Sequence, residues 1–123
     1  MIDHVSIVVG DLSTAARFYD AVLAPLGHTR LVERETTVGF GKRYPEFWIN
    51  LRSGAAAPSD GFHVCLRARS PEAVRAFHAA ALTEGGTDDG APGFRPEYHA
   101  SYFAAFVRDP DGNRIEVVTF VRD

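Results

Sequence analysis

The chain has 123 residues, 46% hydrophobic and 24% charged, with a net charge of −3 at pH 7. This describes one water-soluble globular domain large enough to bury a core. No apolar run approaches the roughly 20 residues of a bilayer span. The acidic balance gives no general attraction to nucleic acid or an anionic membrane. The single cysteine, Cys65, excludes an internal disulfide and a thiolate-rich zinc site. The opening Met1-Ile2-Asp3-His4 lacks a basic and apolar signal region, so a cytoplasmic location is expected.

Residues 4–9 read as a strand in which Val5, Ile7 and Val9 alternate with His4, Ser6 and Val8. Asp11 or Ser13 can cap the helix that follows. Its apolar stripe runs through Leu12, Ala15, Phe18, Val22 and Leu26, and Gly27 stops it. Short strands are predicted near residues 29–34, 36–42 and 46–52. The small, turn-rich segment 53–61 separates a first module, 1–52, from a second, 62–123. There a strand over 62–68 precedes a helix opened by Ser70-Pro71-Glu72 and closed by Gly85-Gly86. Residues 87–100 read as a long loop, the length of which suggests function. A strand over 101–108, a tight turn at Asp109-Pro110-Asp111-Gly112-Asn113 and a strand over 114–120 complete the chain.

The two modules repeat each other. His4-Val5 falls on His63-Val64 at an offset of 59 residues (63 − 4), and Phe18, Ala21, Leu23 and Gly27 fall on Phe77, Ala80, Leu82 and Gly86. A second match at 66 (116 − 50) sets Phe40 on Phe106, Ile49 on Ile115 and Asn50 on Glu116. Duplication predicts a pseudo-two-fold pair of βαβββ modules, an α+β fold whose mixed sheet curves into a cup with helices outside.

Alternation across each strand sorts the side chains. Val5, Ile7 and Val9 share one face of the first strand, with His4 and Ser6 opposite. Val64 and Leu66 oppose His63, Cys65 and Arg67. Trp48, Asn50 and Arg52 share a face, as do Arg114, Glu116 and Val118. A half-exposed antiparallel sheet also shows polar residues on one face. Two histidines and a carboxylate at repeat-matched positions favour the other reading, a divalent-metal site of His4, His63 and Glu116.

Asp3-His4-Val5, Phe18-Tyr19, Phe62-His63-Val64 and above all the run from Phe106 through Asp109-Pro110-Asp111-Gly112-Asn113 to Glu116 resemble the vicinal oxygen chelate superfamily. This is also called the glyoxalase/bleomycin resistance protein/dioxygenase group, and the likeness extends to its lactoylglutathione lyase-like branch. The resemblance implies paired modules around a cavity with one divalent ion (Fe, Mn, Ni, Co or Zn). The positions of the family's ligands are His4, Asn50, His63 and Glu116 here. Asn50 departs from the carboxylate usual in glyoxalase I-like members, and an amide cannot act as a general base.

The segment Arg95 to Tyr102 is polar and aromatic. Arg95, Tyr98, His99 and Tyr102 are candidate substrate contacts, with Asn50 and Trp48; a loop packed on its own aromatics is the alternative. Trp48 can floor the pocket or fill the core. Arg52 and Arg67 read as solvated edge residues, with pairing to a substrate carboxylate or phosphate as the alternative. Cys65 reads as a buried, inert thiol, and His28 and His78 as surface residues. The implied function is a small metal-dependent enzyme. Glu116 is its ligand and proton-transfer candidate, and the chemistry is of lyase or isomerase type on a small oxygen-chelating substrate. A non-haem Fe(II) dioxygenase, a thiol transferase and a non-catalytic, antibiotic-sequestering binding protein are the alternatives. A homodimer is expected, since sheet edges need covering; no nucleic acid or membrane partner is.

Overall fold

In the computed structural model, which describes residues 1–122, both predicted helix starts are capped. The predicted second module ends at residue 123, one position outside the described residues. The Asp11 carboxylate accepts the Thr14 backbone N–H and the Ser70 hydroxyl accepts that of Ala73. Each satisfies a donor that the first helical turn leaves open. Helix α1 spans Leu12–Leu23 and α2 spans Pro71–Thr83. A single 3₁₀ turn, Ala24–Leu26, extends α1 until Gly27 stops it at φ 82°, a left-handed conformation that glycine adopts without a steric penalty.

Eight strands complete the modules: β1 (Val5–Val9), β2 (Thr29–Glu33), β3 (Thr37–Gly41), β4 (Pro45–Leu51), β5 (Val64–Arg67), β6 (Thr87–Phe94), β7 (Tyr102–Arg108) and β8 (Arg114–Phe120). They form two four-stranded sheets with orders β1-β4-β3-β2 and β5-β8-β7-β6. In each sheet the first strand of the module runs parallel to the last, and the other pairs are antiparallel. The α+β fold of two βαβββ modules is thus as expected. The mixed sheet is two hydrogen-bonded halves, whose edge strands are β1 and β5 on one side and β2 and β6 on the other.

Strand β6 corrects the predicted loop over 87–100. Thr87-Asp88-Asp89-Gly90-Ala91-Pro92-Gly93-Phe94 is rich in residues that weaken a ladder. It still forms a strand because it pairs on one side only, with β7, through two register shifts between Asp88 and Gly93. An edge position tolerates Pro92, whose missing N–H need not face a neighbour. At Gly90 a β-carbon would come within 3.1 Å of the Phe106 ring and 3.3 Å of the Arg95 guanidinium. The sequence signal for loop was a signal for an irregular edge.

One hydrophobic core joins the modules. Helix α1 lays Ala15, Phe18, Tyr19 and Val22 on Ile7, Val38, Phe40 and Ile49. Helix α2 lays Val74, Phe77 and Ala81 on Phe103, Ala105, Ile115 and Val117. The two helices also pack on each other. The close approach has a local requirement at Gly86, where a β-carbon would lie 2.7 Å from the Arg108 carbonyl oxygen, 2.7 Å from the Phe18 ring and 2.9 Å from the Ala81 carbonyl oxygen. Two of those three neighbours are backbone and cannot step aside cheaply. Gly86→Ala is therefore expected to destabilise by about 1–3 kcal/mol, measured as the shift in urea midpoint. An unchanged midpoint would show that the interface is looser than these contacts.

The turn between β7 and β8 clasps the first module. The Tyr19 hydroxyl donates to Asp109 Oδ2 (2.7 Å), the Gly10 N–H to Asp111 Oδ1 (2.8 Å) and the Asn113 side-chain amide to the Val8 carbonyl (3.0 Å). Asp109 also accepts the backbone N–H groups of Asp111 and Asn113. The motif read as a hairpin turn thus also joins the two modules.

Candidate functional site

Register fixes which residues of the two modules correspond. Ser6 pairs with Trp48 and Cys65 with Glu116. Since Ser6 and Cys65 differ by 59 (65 − 6), the counterpart of Glu116 is Trp48, at 68 (116 − 48), and not Asn50 at 66. A slip of two keeps every side chain on its own face, so the apolar pattern fits both offsets. Asn50 lies beside Val8, four residues and roughly 13 Å along the strand from His4. Its amide oxygen accepts the Thr37 hydroxyl.

Trp48 is half-buried and lies flat against Gly39, where a β-carbon would come within 2.8 Å of the indole ring. The Arg34 guanidinium sits 5.8 Å from the ring centre. Trp48, and no carboxylate, occupies the position that matches Glu116.

The second module brings two predicted ligands together. His63 Nε2 lies 3.0 Å from Glu116 Oε1. With bonds of about 2.1 Å, two neighbouring ligands of one ion stand about 3 Å apart, so this pair fits a divalent ion. Glu116 is 3% exposed, on the central strand β8, and Tyr102 on β7 donates its hydroxyl to Glu116 Oε2. Burial first, and this carboxylate second, raise the Tyr102 hydroxyl well above its ordinary range. It stays a donor at neutral pH. Burial first, and Glu116 second, push the Cys65 thiol up to about 12. Against expectation Cys65 is not buried: as a residue it is exposed on the edge strand β5.

Although His4 lines a crevice together with His63, it makes no hydrogen bond with this pair among the described residues. Its side chain is 54% exposed and its Nδ1 lies 2.8 Å from Asp3 Oδ1. Among the described residues no three His, Cys, Asp or Glu side chains are grouped closely enough to hold a metal. Within one chain the structure brings together two of the three predicted ligands, His63 and Glu116.

The substrate candidates divide. Tyr98 and Tyr102 stack edge-on (5.2 Å), and Tyr102 and His99 each meet Phe120; of these four rings Tyr102 is the one bonded to Glu116. Arg95 donates to the carbonyls of Gly93 and Ala91, so its fork holds β6, and it faces the Phe106 ring at 5.9 Å. His99 Nδ1 accepts the Ser101 N–H. Sequence reading missed Phe106, 5.9 Å from the His63 ring, and Arg114, 4.7 Å over Phe106 and paired with Asp89. Both share the face of Glu116, and that alternation was the available signal. His78 is not a surface residue; its side chain is 13% exposed and pairs with Asp88. His28 has a buried Nδ1 without a partner.

Removing the Tyr102 hydroxyl isolates its contribution. Tyr102→Phe is expected to lower stability by about 1–3 kcal/mol, the range for a hydrogen bond to a charged group, as read by chemical denaturation. No change would mean that water replaces the hydroxyl at Glu116.

Residues 1–117 match the family model described as Glyoxalase/Bleomycin resistance protein/Dioxygenase superfamily. A glyoxalase/bleomycin resistance protein from Albidiferax ferrireducens T118 is 35% identical, with a TM-score of 0.86 over 94% of this chain and 95% of that one. A glyoxalase-related enzyme from Fulvimarina pelagi shares the fold at 17% identity and TM-score 0.75, over 96% of this chain and 86% of that one. So does an E144Q glyoxalase I mutant from Zea mays, at 20% identity and TM-score 0.72, with 94% of this chain covering 45% of that one. No curated protein matched the chain. Among the described residues no helix is long and apolar enough to cross a membrane.

Proposed function

Because the chain belongs to the glyoxalase/bleomycin resistance protein/dioxygenase superfamily, we propose that it is a divalent-metal-dependent enzyme acting on a small oxygen-chelating substrate, with lyase or isomerase chemistry. The observation that carries this reading is the His63–Glu116 pair at 3.0 Å on one inner sheet face. His63 and Glu116 would hold the ion from one chain, with His4 of a second copy as the third ligand, which would make a homodimer the working assembly. A bound divalent ion would supply open positions for two substrate oxygens and stabilise the enolate or oxyanion that develops there.

The chain's own residues set the rest. Glu116 is the one carboxylate of the set, so it would both help hold the ion and accept the substrate proton. Tyr102 donates to its Oε2 and stays protonated. With Trp48 at the matching position of the first module, a shuttle between two carboxylates is unavailable, and proton removal and return use Glu116 alone. Tyr102 and Phe120, both half-buried, would cover one side of the carboxylate. Cys65 keeps its proton and does not act as a nucleophile.

A two-histidine, one-carboxylate set also suits Fe(II) and oxygen chemistry, and a catechol-type diol is the substrate that reading requires. The test is to load the protein with each of Fe, Mn, Ni, Co and Zn and assay two substrates in parallel. These are isomerisation of a thiol–ketoaldehyde adduct and oxygen uptake with a catechol. Turnover of the adduct with any metal, lost in Glu116→Gln, supports the proposal. Iron-restricted oxygen uptake moves the assignment to a dioxygenase. No turnover of either substrate with any metal would leave a sequestration protein.

A further inference from the structure

A crevice of about 520 Å³ is lined by residues of both edge strands, β1 and β5. Its apolar walls include Val5, Leu23, Phe40, Phe47 and Leu66, and His4 and His63 line it as well. Glu116, Trp48 and Tyr102 do not. A second cavity, of about 400 Å³, shares His28 and Arg67 with it and adds Lys42, Arg69, Thr119 and Phe120. The volumes are those of small-molecule sites, about 300–1,000 Å³.

The shared end is cationic. Lys42, Arg67 and Arg69 form no salt bridge with a carboxylate among the described residues, although the chain as a whole is acidic. The acids of the crevice, Asp3 and Glu46, line the first cavity alone. Arg67 lies 4.8 Å over the Phe120 ring, a stacking that holds its guanidinium in place. His28 adds a donor. Its buried Nδ1 has no partner, and a buried N–H without an acceptor is the rarer and costlier arrangement. The proton therefore belongs on Nε2, at the other edge of the ring.

We propose that this crevice binds an amphipathic oxyanion. The apolar body lies between Val5, Phe47 and Leu66, and the head group is held by His28, Lys42, Arg67 and Arg69. Charge complementarity selects the head, since a guanidinium fork matches a carboxylate or phosphate edge. The apolar walls select the body, since a small anion leaves them wet. The alternative reading of Arg67 from sequence, pairing with an anion, thereby acquires a location. The proposal does not rest on the metal reading: His63 lines another part of the crevice, four residues before Arg67, and none of the head-group residues His28, Lys42, Arg67 and Arg69 is a proposed ligand.

The test is calorimetric titration of chelator-treated protein with decanoate, below its micelle concentration. Decanol serves as the tail without charge, and acetate and inorganic phosphate as the head without a tail. Decanoate is expected to bind saturably and at least about 10-fold more tightly than decanol, with no saturable binding of acetate or phosphate. Lys42→Gln combined with Arg69→Gln, both on exposed side chains, is expected to weaken decanoate at least about 10-fold and leave decanol unchanged. Equal binding of decanoate and decanol, no binding of either, or an unaffected double variant would overturn the proposal. Saturable phosphate binding of equal strength would reduce the site to an inorganic-anion site and overturn the apolar part. Running the same titration on Glu116→Ala separates this site from the metal site, since decanoate affinity is expected to be unchanged there whatever happens to metal retention.

Discussion

Asp109→Ala is expected to lower stability by about 3–5 kcal/mol, which corresponds to a fall in Tm of roughly 10–20 °C for a domain of this size. The reason is the number of donors that converge on one carboxylate. Asp109 is 3% exposed and accepts from the Tyr19 hydroxyl, the backbone of Asp111 and Asn113, and the Asn113 amide. Truncation leaves the Tyr19 hydroxyl and two backbone N–H groups without partners, at about 1–3 kcal/mol each when buried. Burial, the largest influence, raises the Asp109 carboxyl above its ordinary value, against the lowering effect of the Tyr19 and Asn113 hydrogen bonds. A raised folded-state value means that this group's favourable contribution is present in acid and declines as pH rises through it. At neutral pH part of the hydrogen-bond gain is therefore offset, which keeps the expected loss below the sum for three orphaned donors. Tyr19→Phe removes one of the four bonds and is expected to cost about 1–2 kcal/mol. Thermal melts of the two variants check both figures. An Asp109→Ala melt within 3 °C of wild type would show that the turn does not clasp the modules.

Glu116→Gln is expected to weaken metal retention at least about 100-fold, more than the 10–100-fold typical of residues that only support a ligand. The substitution keeps the shape of the side chain and an acceptor for the Tyr102 hydroxyl, but removes the only carboxylate of the set. His63→Ala is expected to do the same by removing the ligand that immediately precedes strand β5. His28→Ala, which touches neither, is expected to leave metal retention unchanged. Equilibrium dialysis against a single divalent metal, with circular dichroism to confirm the fold, distinguishes ligand loss from unfolding. Equal metal affinity in wild type and Glu116→Gln would mean that the His63–Glu116 contact is an ordinary ion pair.

What was legible in the sequence follows from periodicity and capping. Asp11, Ser70 and Gly27 sit where their chemistry is needed, and the strands with alternating faces, β1, β4, β5, β7 and β8, lie close to their predicted spans. Strand β6 was hidden because Gly90, Pro92 and Gly93 suit an irregular edge as well as they suit a loop. The counterpart of Glu116 was misread as Asn50 because sheet faces repeat every two residues, so 66 and 68 are equally good offsets until hydrogen-bond register decides. The pairing of His63 with Glu116 was legible, since both lie on the same face of strands that the repeat makes neighbours. Three features depend on packing between the modules and have no local signature: the lack of a hydrogen bond between His4 and that pair, the clasp at Asp109 and the cationic end at His28.

Metal content of the purified, untagged protein, reconstituted anaerobically and measured by mass spectrometry alongside His63→Ala and His4→Ala, tests the central claim most directly. The account predicts close to one ion per chain in wild type, loss in His63→Ala, and loss in His4→Ala with the fold retained. Wild-type protein without metal after reconstitution, or full metal in His63→Ala, would contradict it.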